Sequence, residues 1–437
     1  MTALRLSLQP LIERYLPQGS LRQRYLGGTF WFTLGVGGAQ AATFVATIVA
    51  ARLLGTEAFG RFGIIQSTLG MFGLVAGLGM GLTNKRYVSE LRESDPLRCG
   101  QVIAFSTSIS WASAGVMALG LILFAPLLAG SVINAPDLVL ELRIAAALML
   151  LNGLNDAQLG ALSGFEVFKR IALIYALRAG LTLVLLIGGV WLWGLPGLIG
   201  GMALTAACVW GYTGLVLRQV LHAAGVPLSY QNVWHEGEVF LKFTAPALAT
   251  SFLPAISFWV IRTVLVNYPD GYAQLGLFTA AEQWVMIMAF VPGAMNNVSL
   301  PILSNTYASK DRPRFRKAVV ANLTLPVALS VVMAAVVALA APWVAQVYGR
   351  SFAGMAPVLA WMCLVGVLRV FGGAVGSLVV AINRMWASFA INVLWGAVLV
   401  AAAIFFAPYG ALGLAWANLV AYTLQSLLGL WLFARTV

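Results

Sequence analysis

The sequence predicts an all-α, polytopic membrane protein with about twelve transmembrane helices in two parallel six-helix lobes. Three observations predict it. The 437 residues are 61% hydrophobic and only 9% charged, whereas a soluble domain carries roughly a quarter charged residues. The apolar stretches recur at lengths near the ~20 residues that cross a hydrocarbon core. They run continuously instead of alternating, which selects helices over barrel strands, the other way to satisfy backbone groups in lipid. Finally, a single offset of 216 residues relates the two halves of the chain.

The expected spans of the first half are 28–51, 62–82, 102–128, 143–164, 171–192 and 197–217. Those of the second are 240–266, 275–300, 319–341, 357–382, 386–407 and 410–434. The chain then divides into an N-terminal segment (1–27), an N-lobe (28–220), an inter-lobe loop (221–239) and a C-lobe (240–437). The N-terminal segment lacks a signal peptide's short apolar core and small-residue cleavage site, so it is expected to stay attached. The offset pairs Gly60 with Gly276, Phe62 with Phe278, Asp95 with Asp311, Arg98 with Arg314, Pro126 with Pro342 and Gly194 with Gly410. Six helices per lobe give both lobes the same orientation, as parallel repeats about an axis along the membrane normal. Transporters built this way bind substrate between lobes that rock to alternate access.

The net charge of +12 raises a nucleic-acid reading, which the distribution of the charge disfavours. With the N-terminus inside, 19 Lys and Arg fall on cytoplasmic segments and only Arg52, Arg61, Arg143 and Arg350 on the other side, with the remaining 3 inside spans. The positive-inside rule therefore predicts both termini in the cytoplasm. The basic cluster from Lys310 to Lys317 reads as a determinant of topology and of anionic-lipid contact, and no nucleic-acid partner is expected. Cys99, Cys208 and Cys363 have neither the parity of a disulfide framework nor metal-ligand spacing. No metal and no cofactor is expected.

Ionisable groups at membrane depth are costly and point to function. They are Asp156, Arg178, Arg262, Glu282 and Arg369. Arg262 near the outer end of the seventh span and Glu282 two turns below the same surface in the eighth are placed to pair. Asp156 and Arg178, in the inner halves of consecutive spans, are placed likewise. Arg369 lies mid-span with no acid at matching depth, which leaves its charge free for a ligand. Structural pairing or snorkelling is the competing account of all five. Asn152, Asn155, Asn296, Asn297, Asn392 and Asn418 add hydrogen-bonding groups, mostly as links between helices.

No catalytic constellation is present. His222 and His235 both fall in the inter-lobe loop region without a partnering nucleophile or carboxylate. No GxxxxGK[ST] loop binds a nucleotide, and the outer loops are too short for a catalytic domain. The chain is therefore expected not to be an enzyme.

Two stretches carry a resemblance. RLLGTEAFGRFGIIQST from Arg52 resembles the opening of bacterial polysaccharide-unit flippases. The run from Trp259 to Trp284, with IRTVLVNYPDGYAQLGLFTAAEQW, is similar to the region around the seventh and eighth spans of O-antigen-type flippases. GFEVFKRIALIYALRAG and the AINRMW turn fit as well. The family lies within the multidrug/oligosaccharidyl-lipid/polysaccharide exporter superfamily. The resemblance implies flipping of a lipid-linked oligosaccharide, typically on undecaprenyl diphosphate, across a bacterial inner membrane for O-antigen, lipopolysaccharide or exopolysaccharide. It implies a cationic central cavity and ion or proton coupling, with other polysaccharide-assembly proteins as possible partners. Ile261 stands where many relatives have Asp. Arg369, Arg178 and Arg262 are then the expected diphosphate contacts, because a guanidinium fork suits phosphate oxygens. Glu282 and Asp156 are expected in ion coupling or ion pairs. Two rival functions remain: a multidrug antiporter of the same superfamily, whose cation site should be acidic, and a membrane polysaccharide polymerase or ligase, which needs a substantial outer loop.

Overall fold

The computed structural model describes residues 21–230, 245–309 and 311–436, and among them there is no strand. Twelve α-helices, joined by short π and 3-10 turns, follow in order. They are α1 Leu21–Gly77, α2 Met80–Leu91, α3 Pro96–Leu127, α4 Val139–Gly164, α5 Phe168–Leu181, α6 Ile187–Ala223, α7 Ala245–Val266, α8 Gly271–Ala308, α9 Arg312–Tyr348, α10 Met355–Ala381, α11 Met385–Phe406 and α12 Gly410–Thr436. The labels do not map one to one onto the expected spans. Gly55 (φ 77°, ψ 174°) divides α1 into the first two rods, a left-handed φ that only glycine takes without strain. Non-helical Trp193 and Gly194 divide α6, so its first part completes the rod begun by α5. Seven described stretches, several holding two such rods, are long and apolar enough to cross a membrane.

The duplication is visible in the backbone. Asp95 caps α3 by accepting the Arg98 amide at 3.0 Å, and Asp311 caps α9 by accepting the Arg314 amide at 3.1 Å. Each cap satisfies an amide that the first helical turn leaves without a partner. Gly194 (φ 59°, ψ −132°) and Gly410 (φ 63°, ψ −135°) make the same turn in the two halves.

Helices α1–α6 pack mainly among themselves, as do α7–α12, and the two sets meet chiefly where α1 lies along α8 and α7. A Cβ on Gly60 would collide with the backbone carbonyl of Tyr272, and one on Gly276 with that of Thr56. Residues 56 and 272 are themselves 216 apart, so the contact is reciprocal. This is the pattern of an isologous interface, in which i meets j and j meets i. Gly63 faces Thr279, its own counterpart, across the same line. Around it Phe59, Phe62, Phe278, Tyr348 and Phe352 form a buried aromatic core contributed by both halves. Large apolar side chains such as Leu123, Phe124, Trp191, Leu339 and Phe405 are turned outward, the surface expected of a protein solvated by lipid.

Candidate functional site

The 267–270 turn folds α8 back against α7 and brings Arg262 beside Glu282. The Arg262 Nη2 donates to the Glu282 carboxylate, and both residues are buried, at 8% and 7% exposed. The Arg262 Nε–H has no hydrogen-bond partner among the described residues. A buried charge without its counterpart would be far costlier than the pair, so these two side chains fix each other's position. Next to Glu282, Gln283 accepts a hydrogen bond from Thr47 of α1 at 3.3 Å, and Trp284 meets Phe44 edge to face with centroids 5.0 Å apart. Trp259 of α7 donates to Thr68 of α1 at 3.1 Å. The pair therefore stands where the two halves touch.

Arg369 projects from α10, which packs on both α8 and α12. It is half-buried, and no hydrogen bond or ion pair engages it among the described residues. Tyr422 of α12, itself buried, lies within electrostatic range of both Arg369 and Glu282. The second half thus carries two cations and one anion within the spans α7, α8 and α10, a net positive balance. Amides accompany them. Gln425 donates to Asn392 at 2.8 Å, Asn418 donates to the Leu414 carbonyl of its own helix, and the Asn296 carbonyl oxygen has no partner among the described residues.

Asp156 and Arg178 are not brought together: no ion pair joins them among the described residues. The reason is azimuth. The Asp156 carboxylate lies over Gly81, on the side of α4 that packs against α2. Arg178 rides on α5, which packs instead on α1 through Gly35 against Ala172 and Tyr175. Tyr175 lies within electrostatic range of both charges, so they share a neighbourhood without contact. His222 is exposed near the end of α6, while His235, Lys242 and Lys310 lie outside the described residues. Among the described residues no group of His, Cys, Asp or Glu has metal-binding geometry.

The sequence reading gave Arg61 only a topological role, and the structure gives it more. Arg61 donates to Asp137 and to Glu57, and its guanidinium lies 5.6 Å from the Tyr272 ring centroid. Tyr272 donates its hydroxyl to the Ile133 carbonyl, and Asn267 donates to the Val132 carbonyl at 3.0 Å. These contacts clasp the two halves at one end of the molecule. Close by, burial pushes the Glu141 carboxyl above its ordinary range. The only sequence signal for this clasp was charge next to an aromatic at a span end, which is too common to read.

A profile of the family described as "Polysaccharide biosynthesis protein" matches residues 25–307. The EPS I polysaccharide export inner membrane protein EpsE of Ralstonia nicotianae is 26% identical over 388 residues, covering 85% of each chain. Among solved structures, an inward-facing multidrug resistance MATE family transporter of the MOP superfamily superposes with a TM-score of 0.73 at 16% identity, covering 91% of this chain and 95% of that one. The lipid II flippase MurJ in an inward closed conformation also gives 0.73, at 14% identity, covering 92% and 87%. At such identities the structural likeness establishes the fold, a two-lobe membrane transporter fold.

Proposed function

The chain belongs to the polysaccharide biosynthesis protein family, and on that premise we propose that it flips a lipid-linked oligosaccharide from the cytoplasmic to the periplasmic leaflet of a bacterial inner membrane. It acts as a transporter and not as an enzyme. About twelve spans form lobes 28–220 and 240–437 that rock about their shared line, with both termini in the cytoplasm. The observation that carries this reading is Arg369, a half-buried guanidinium that no hydrogen bond or ion pair engages among the described residues, on the helix α10 that packs against α8, which bears Glu282. An arginine cannot shed its proton, so a free one at membrane depth is best explained by an anionic ligand. A diphosphate suits its planar fork. Arg262 adds its charge for the same ligand, Arg178 supports from the first lobe, and Glu282 and Asp156 tune the local charge. A cation-exporting antiporter would need the opposite balance at this place, since arginines repel its substrate.

Replacing Arg369 by Gln is expected to abolish surface glycan while the protein stays at normal abundance in the membrane. Arg369→Lys should restore part of the export, because it keeps the charge and loses the fork. Normal surface polysaccharide in the Gln variant would remove Arg369 from substrate contact.

A further inference from the structure

The two repeats differ in charge at a place remote from the paired helices. Under the 216-residue offset, Arg312, Arg316 and Lys317 stand where the first half has Pro96, Gly100 and Gln101. At Gly100 the chain beyond α6 lies directly on the helix, and a Cβ there would collide with the Pro227 carbonyl. The first half therefore covers this face of α3 with its own 226–228 segment, and Gly100 is buried. Among the described residues no segment covers the same face of α9 in this way. Arg312, Arg316, Lys317, Val320, Ala321 and Leu325 are all exposed and line a groove of about 770 Å³. Among the described residues no ion pair engages Arg312, Arg316 or Lys317, whereas Arg314 on the adjacent side is held by Asp311 at 3.2 Å.

We propose that this groove is a binding site for an anionic phospholipid. The headgroup phosphate sits among Arg312, Arg316 and Lys317, and an acyl chain runs along Val320, Ala321 and Leu325. Arg316 stands one turn beyond Arg312 on the same side of the helix, Lys317 follows it, and all three line the one groove, so their long side chains can reach a single anion there. The apolar residues continue that face for two further turns, which an inorganic anion would leave uncovered. The volume decides the same way, since a water molecule takes about 30 Å³ and a free phosphate not many times more. Basic side chains at the membrane boundary attract anionic lipid. Here they are gathered into one groove, which the equivalent positions Pro96, Gly100 and Gln101 of the first half do not repeat. The proposal rests on α9 crossing the membrane and is independent of the substrate transported.

Native mass spectrometry of the purified full chain tests it, with phosphatidylglycerol, phosphatidylcholine, undecaprenyl phosphate and inorganic phosphate as probes. Phosphatidylglycerol should be retained preferentially, and excess inorganic phosphate should not displace it. Arg312→Gln/Arg316→Gln/Lys317→Gln should weaken it roughly a hundredfold, while Arg314→Gln leaves it unchanged. If the triple variant does not fold, the three single variants, each expected to lose about fivefold, carry the test. Equal retention of phosphatidylcholine, displacement by inorganic phosphate, or undiminished lipid binding in these variants would overturn the site. Undecaprenyl phosphate outcompeting phosphatidylglycerol would overturn the assignment to a bulk phospholipid.

Discussion

Arg262 and Glu282 hold opposite charges at a depth where little water screens them, so each is the other's main source of compensation. Neutralising one leaves the second buried alone, at a cost of about 3–5 kcal/mol by analogy with soluble cores. Arg262→Gln and Glu282→Gln are each expected to lower the midpoint of thermal unfolding in detergent sharply. The double variant should recover most of that loss, because no charge is then stranded. Additive losses would mean that the two side chains do not stabilise each other. This pair was legible in the sequence because depth along two antiparallel helices joined by a tight turn follows from counting residues. Asp156 and Arg178 satisfied the same count and do not meet. Depth is one coordinate and azimuth is another, and azimuth depends on which neighbour each helix packs against. No residue near Arg178 announces that α5 lies on α1.

Helix ends and breaks show what repetition costs and preserves. The matched caps at Asp95 and Asp311 and the matched turns at Gly194 and Gly410 were predictable, because caps and left-handed turns demand particular residue types at fixed offsets. The merging of rods across Gly55 was not, since it depends on how abruptly the chain changes direction. The closest approach of the halves rests on Gly60 and Gly276, each pressed against a carbonyl of the opposite helix. A methyl group at either position must push α1 and α8 apart. Gly60→Ala and Gly276→Ala are expected to destabilise the protein by about 1–3 kcal/mol each. Because both act on one shared contact, the double variant should cost less than the sum, measurable by comparing thermal midpoints of the three variants. Full additivity would show that the two glycines work separately.

For the whole molecule, the decisive sequence property is where the positive charge lies. With Cys99, Cys208 and Cys363 replaced by Ser, a cysteine at Leu26 or Tyr230 should resist a membrane-impermeant thiol reagent in intact cells. A cysteine at the exposed Tyr268, in the turn between α7 and α8, should react. The reverse pattern would invert the molecule in its membrane. The clasp of Arg61, Asp137 and Tyr272 lies at the same end of the molecule as Tyr268. In the orientation proposed here it joins the halves at the periplasmic mouth, where export would require these contacts to part.

The reciprocal contact at Gly60 and Gly276 also bears on ancestry. A chain of half this length, paired with its twin about the same line, would reproduce the caps, the turns and the glycine approach. It could not reproduce the charges. Counterparts of Arg262, Glu282 and Arg369 under the offset are Ala46, Gln66 and Gly153, and those of Asp156 and Arg178 are Gly372 and Leu394. In a twinned ancestor every buried arginine would come twice, and each would need its own compensation. Joining two such copies into one gene would release each position from its mate. Selection could then keep a symmetric hinge while writing a one-sided electric field across it.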